Sequence, residues 1–295
     1  MTTAANIDTI MNPPARIQTM RRAVDTLHDG LGPLVDLYRP YVDGLHTLPK
    51  DGRFLLVGNH TQFGVEVLLI PHYVRRATGT RVRPLADRSM GQMRGAAGDL
   101  FAAYGAVVGA PETARELMRH NESILVFPGG GREIAKFKDE ENTLRWNGRA
   151  GFARVSVENN YPIVPVALAG ADDVYQSLIT RDSRWGRLSL SLSAKLFGRR
   201  DTALPLLHGV GPTLIPRPQR MYLRFAAPID TTKPARVSEP KWVATVKQNT
   251  QESLERALAD LLEIRSSDPY RELNPLAWRA ATQPSTQPQN HPGRR

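Results

Sequence analysis

The chain has no cysteine in its 295 residues. That excludes disulfide bonds, thiolate metal sites and a cysteine nucleophile. Histidines are few, and none stands at zinc-site spacing to carboxylates, so no metal is expected. No Gly-x-Ser-x-Gly elbow occurs, which argues against a serine hydrolase. No Gly-Lys-Ser/Thr ending follows a glycine run and no Gly-x-Gly-x-x-Gly follows a strand signal, so both nucleotide-binding fingerprints are missing. Every uncharged stretch falls short of the roughly 18–20 apolar residues of a membrane span, and the run 202–216 is broken by prolines and glycines. The N-terminus lacks a basic-then-apolar export pattern, so a cytoplasmic location is expected.

Two blocks carry chemistry. Phe54-Leu55-Leu56-Val57 is a short apolar run after Asp51-Gly52 and reads as a buried strand. Asn59-His60-Thr61-Gln62-Phe63-Gly64-Val65-Glu66 follows at its exit, where scaffolds present functional side chains. His60 and Glu66 are six apart and would not share a face of one helix. They can meet only if His60 precedes a helix that holds Glu66 in its first turns. A neutral imidazole so oriented can take a hydroxyl proton, which is worth ~10²–10⁴-fold. The alternative is an ordinary half-buried histidine beside a solvated glutamate.

The second block is Ser123-Ile124-Leu125-Val126-Phe127, a strand signal, running into Pro128-Gly129-Gly130-Gly131-Arg132-Glu133. Three glycines cost backbone entropy and add no packing, so a positive φ or a close-approaching ligand is the expected return. Their amides could cradle an oxyanion, and Arg132 adds a fixed cation. A tight turn with a surface arginine is the plainer reading.

These blocks resemble those of the lysophospholipid/glycerol-phosphate acyltransferase superfamily, which is marked by Asn-His-x4-Asp, Phe-Pro-Glu-Gly-Thr-Arg and Val-Pro-Val. The matching residues here are Asn59-His60 with Glu66, Phe127 through Arg132, and Val164-Pro165-Val166. Met90-Gly91-Gln92 through Val108 resembles the block between them, and the likeness runs from about Leu48 to Pro228. The first acid is Glu at a spacing of five, and the third block reads Phe-Pro-Gly-Gly-x-Arg-Glu. That form is similar to the diacylglycerol acyltransferase-like and phytyl-ester-forming branch. The resemblance implies His60 as base and Glu66 as its orienting acid. It also implies Gly129, Gly130, Gly131, Arg132 and Glu133 at the substrate, with acyl-CoA as co-substrate and no cofactor. Glu133 directly beside Arg132 would compete for its charge, which favours a neutral acceptor such as diacylglycerol or a long-chain alcohol. Lysophosphatidate or glycerol 3-phosphate is the alternative acceptor. A non-catalytic lipid-binding, membrane-docking protein is the alternative of another class. Asp87 and Asp99 are reserve carboxylates. The resemblance covers an acyltransferase part alone, without the hydrolase domain that plastid relatives can carry.

The net charge is +10. Between Arg181 and Arg224 nine basic residues face two acidic ones, interleaved with Trp185, Leu188, Leu190, Leu192 and Phe197. Such a mixture suits peripheral attachment to an anionic membrane surface, against the plainer reading of a solvated basic face. With no groove-reading motif, nucleic acid is not an expected partner.

Strand signals at 54–57, 105–108, 123–127, 163–168, 189–193 and 221–225 alternate with helical stretches. They predict an α/β domain over 46–270 with a central, mostly parallel or mixed sheet. Residues 1–45 read as a helical segment, with helices Ala15–His28 and Leu31–Val42. A last amphipathic helix runs from Glu239 to Ile264. The polar, proline-bearing tail 281–295 is expected to be disordered.

Overall fold

The computed structural model describes residues 7–30, 32–87, 90–91, 93–197 and 206–285. Three helices lead the chain, α1 (Ile7–Met11), α2 (Ala15–Gly30) and α3 (Gly32–Leu37). An alternating core follows: β1 (Tyr41–Asp43), β2 (Leu55–Gly58), α4 (Glu66–Thr78), β3 (Val82–Ala86), α5 (Gly95–Tyr104), β4 (Val107–Val108), α6 (Pro111–Arg119) and β5 (Ser123–Val126). Next come α7 (Gly131–Ile134), α8 (Gly151–Glu158), β6 (Ile163–Ala169), β7 (Gln176–Ser177), α9 (Arg184–Phe197), β8 (Leu207–His208), β9 (Tyr222–Phe225) and α10 (Glu239–Ser267).

Seven strands form one sheet in the order β1-β9-β6-β2-β5-β3-β4. Its pairs are parallel except β6 with β9. This is the mixed, mostly parallel α/β sheet that the alternation predicts. Both faces are covered, which explains the uninterrupted apolar runs. In β2, Leu55 and Val57 join the core under α6, α8 and α10, while Leu56, with Phe54 just before the strand, joins the core with Ile70 and Val74 of α4. Asn59 and Phe127 therefore leave the sheet side by side at the carboxyl ends of two paired parallel strands, where open α/β sheets bind ligands.

Several expectations are corrected. Residues 41 and 42 are an edge strand, because Pro40 has no N–H to continue a helix and steers Arg39 away from helical backbone. The Leu-Ser alternation at 189–193 lies within α9, its period of two overridden by the helix's small buried residues. β1 and β3 lack a strand signal in the sequence. The predicted disordered tail falls largely outside the described residues, but its start is anchored: the Thr282 carbonyl accepts from buried Arg220 at 2.9 Å.

Candidate active site

The first block is fixed at its root. Asn59, buried at the exit of β2, donates to the Leu168 carbonyl and accepts from the Leu168 amide, both at 2.9 Å. Phe63 and Gly64 then both adopt the left-handed conformation, with φ of 66°. For phenylalanine this is a strained conformation. The double left-handed turn reverses the chain and sets Glu66, the first residue of α4, beneath the histidine. His60 Nδ1 pairs with one Glu66 oxygen, and the Thr61 hydroxyl donates to the other. Glu66 is fully buried and the His60 side chain is 13% exposed. The imidazole stacks on Phe127 with centroids 4.5 Å apart and planes 15° from parallel. With Nδ1 committed to the carboxylate, Nε2 is the nitrogen left for a substrate.

The second block is organised around a buried carboxylate. Glu133 is fully buried. One oxygen accepts from the His60 amide at 2.8 Å and the other from the Arg145 amide at 2.7 Å. It therefore grips the backbone of the first block and of the segment that holds Arg145. Burial pushes its carboxyl above the ordinary range, against those two hydrogen bonds and nearby Lys136. The glycines have separate reasons. A Cβ on Gly129 would stand 2.2 Å from the Glu133 carboxyl carbon, so Gly129 makes room for that side chain. Gly130 has φ of 56° and ψ of −144°, a region reserved for glycine. Gly131 has open space around it.

A second buried carboxylate holds the other side of the loop. Asp172 accepts from the Gln62 amide at 3.0 Å and the Asn142 amide at 2.9 Å, and pairs with Lys136. Asp172 and Lys136 are both fully buried. The Gln62 side chain completes the frame by donating to the Lys136 carbonyl at 3.2 Å. His60 and Thr61 thus lie between two backbone amides that are each pinned by a carboxylate from another segment.

A cavity of about 1630 Å³ opens on this frame. His60, Phe127, Gly130 and Gly131 line it, whereas Gly129, Arg132 and Glu133 do not. Its far wall is apolar, with Leu85, Phe101, Ala114 and Val155. Among the described residues the guanidinium on the lining is that of Arg149, which donates to the carbonyls of Pro128 and Gly129 at 3.0 and 3.3 Å. Asp87 is on the lining, whereas Asp99 pairs with Arg16 on the surface. Among the described residues no three His, Asp or Glu side chains converge to hold a metal ion. Arg149 has no signal in the sequence beyond a turn-like Asn-Gly-Arg. Asp172 has one: it follows shortly after the apolar run of β6, which pairs in parallel with the strand that leads to His60.

Comparison with known proteins adds an independent observation. Residues 39–169 match the family model described as Acyltransferase. Phytyl ester synthase 1, chloroplastic, of Arabidopsis thaliana is 28% identical over 258 residues, covering 78% of this chain and 35% of that protein. The human DGAT1/2-independent enzyme synthesizing storage lipids is 29% identical over 166 residues, covering 56% of this chain and 50% of that protein. The solved 1-acyl-sn-glycerophosphate (LPA) acyltransferase, PlsC, of Thermotoga maritima aligns with a TM-score of 0.47 at 15% identity, over 85% of this chain and 86% of that one. The chain spans about a third of the length of the phytyl ester synthases it matches.

Proposed function

We propose that this protein, whose residues 39–169 match the Acyltransferase family model, moves a fatty acyl group from acyl-CoA to the hydroxyl of a neutral lipid, such as diacylglycerol or a long-chain alcohol. The observation that carries the reading is the His60–Glu66 pair at the wall of a large apolar cavity, beside a glycine turn.

In this reading His60 Nε2 takes the acceptor's hydroxyl proton as its oxygen attacks the thioester carbonyl. Glu66 keeps Nδ1 protonated and stabilises the imidazolium that forms. The carbonyl oxygen gathers the negative charge on the side of the Gly130–Gly131 backbone. Collapse breaks the carbon–sulfur bond, and the imidazolium proton passes to the departing thiolate. An ester and a free thiol result, and no covalent enzyme intermediate is needed.

A neutral acceptor is favoured by the cavity lining rather than by Glu133, which is spent on backbone amides. The volume exceeds the roughly 300–1,000 Å³ of common ligand pockets, as long alkyl chains require. A phosphorylated acceptor is the second reading, favoured by Arg149 beside Gly130.

The test is thiol release from a panel of acyl-CoAs with diacylglycerol, long-chain alcohol or lysophosphatidate in detergent. Multiple turnover with the neutral acceptors, lost by about 10²–10⁴-fold in His60→Ala, is expected. A fully active His60→Ala enzyme would remove the base assignment, and a preference for lysophosphatidate would replace the acceptor.

A further inference from the structure

Helix α9 is built inside out. Its small residues Gly186 and Ser193 are buried, while Trp185, Leu188 and Leu192 are 70%, 57% and 50% exposed. Those three stand at i, i+3 and i+7 and form one stripe along the helix. The helix is locked in this rotation. A Cβ on Gly186 would lie 2.2 Å from the Thr180 carbonyl oxygen and 2.5 Å from that of Arg181. Leu190, on the inner side, packs against Ala135 and Phe137. A surface helix that turns its large apolar side chains outward leaves that face for something beyond the chain.

Charge says what. Arg184, Arg187 and Lys195 are exposed on the same helix, against exposed Asp182 just before it. Arg181 is already engaged by Glu140. The apolar surface also continues toward the cavity. Val210, Leu214 and Ile215 are exposed, and the Leu214 carbonyl accepts from Tyr175, whose ring lies 4.7 Å from that of Phe63. Phe63 and Leu207 line the cavity, as does Ala135 under α9.

We propose that α9, together with residues 206–215, lays the protein on an anionic lipid bilayer, with Trp185, Leu188 and Leu192 inserted and the helix's cations at the headgroups. The amphipathic, cation-flanked stripe is the pattern of an interfacial helix. Its continuity with the cavity lets an alkyl chain pass from bilayer to His60 over apolar surface. This inference rests on the lipid-substrate reading above for its purpose, but its test does not.

Co-sedimentation with vesicles reads docking without turnover, and His60→Ala serves equally well in it. Vesicles of phosphatidylcholine with phosphatidylglycerol are expected to bind the protein more strongly than phosphatidylcholine alone. The triple variant Trp185→Ser, Leu188→Ser, Leu192→Ser is expected to lose binding by more than about tenfold. Arg184→Gln with Arg187→Gln is expected to lose about fivefold per cation at low salt. Unchanged thermal midpoints show that both variants fold. Undiminished binding by the triple variant overturns the proposal. So does absence of vesicle binding with a dimer that the triple variant converts to monomer, since the stripe would then be a self-association face.

Discussion

The backbone N–H of His60 donates to Oε2 of Glu133 at 2.8 Å, across 73 residues of sequence. Gripping the histidine by its main chain sets the position of the imidazole while leaving its two ring nitrogens free of the grip, one of them paired with Glu66. Oε1 of the same glutamate holds the Arg145 amide, so one carboxylate joins three segments.

Replacing Glu133 by Gln keeps the shape but turns an NH₂ group toward one of two N–H donors. The His60 loop should shift, and kcat should fall by about 10², the cost of a misplacement near one ångström. KM for the acyl donor should change little. A normal kcat in Glu133→Gln would show that the grip does not matter.

The adjacent glycines should respond in opposite ways. Gly129→Ala forces its Cβ into the Glu133 carboxyl group and is expected to destabilise by ~1–3 kcal/mol, as overpacking does. Gly131→Ala meets open space, so its stability should stay within about 0.5 kcal/mol of wild type. Denaturant midpoints of the two variants, compared side by side, decide this.

Pro71 sits inside α4 and cannot donate to the carbonyl four residues earlier, that of Val67. The Tyr104 hydroxyl donates to that carbonyl instead, at 2.5 Å. Burial raises the phenol's pKa well above its ordinary value, so it remains a donor. Tyr104→Phe should leave the carbonyl unpaired and cost about 1–3 kcal/mol, measured by urea unfolding. Because Tyr104 and Val67 both line the cavity, acyl-donor KM should rise as well.

His28 and His72 pack with ring centroids 4.9 Å apart, joining α2 to α4. Burial lowers the pKa of both; Arg75 reinforces this at His28, and His28 and Arg76 do so at His72. The unfolded chain therefore binds protons more readily than the folded one. Stability from this pair is complete above the ordinary histidine value and is lost as pH falls below it. Unfolding midpoints should drop between neutral pH and about pH 5.5, and His72→Phe should flatten that slope. An equal slope in the variant would assign the acid sensitivity elsewhere.

The sheet was legible because strands buried on both faces leave unbroken apolar runs, as at 54–57 and 163–168. His60 and Glu66 could be paired from sequence because the order strand, loop, helix allows a reversal. The Phe63–Gly64 turn that makes it is a backbone conformation that residue identity only half announces. The grip of Glu133 on two backbone amides could not be read from sequence, because adjacency to Arg132 says nothing of side-chain direction. Arg149 and Asp172 reach the site through tertiary packing of segments far along the chain. α9 misled because Leu-Ser alternation fits a strand, while its Gly186 lets a helix fit closely against Thr180 and Arg181.

Lys136 and Asp172 form an ion pair with no exposed surface. Removing either partner strands the other's charge in the interior, at ~3–5 kcal/mol. That is a large part of the ~5–15 kcal/mol that holds a typical domain together. Single-step drift at either position therefore passes through a crippled intermediate. The pair acts as an evolutionary ratchet: once acquired beneath the His60 loop, it can be replaced only by changing both residues together.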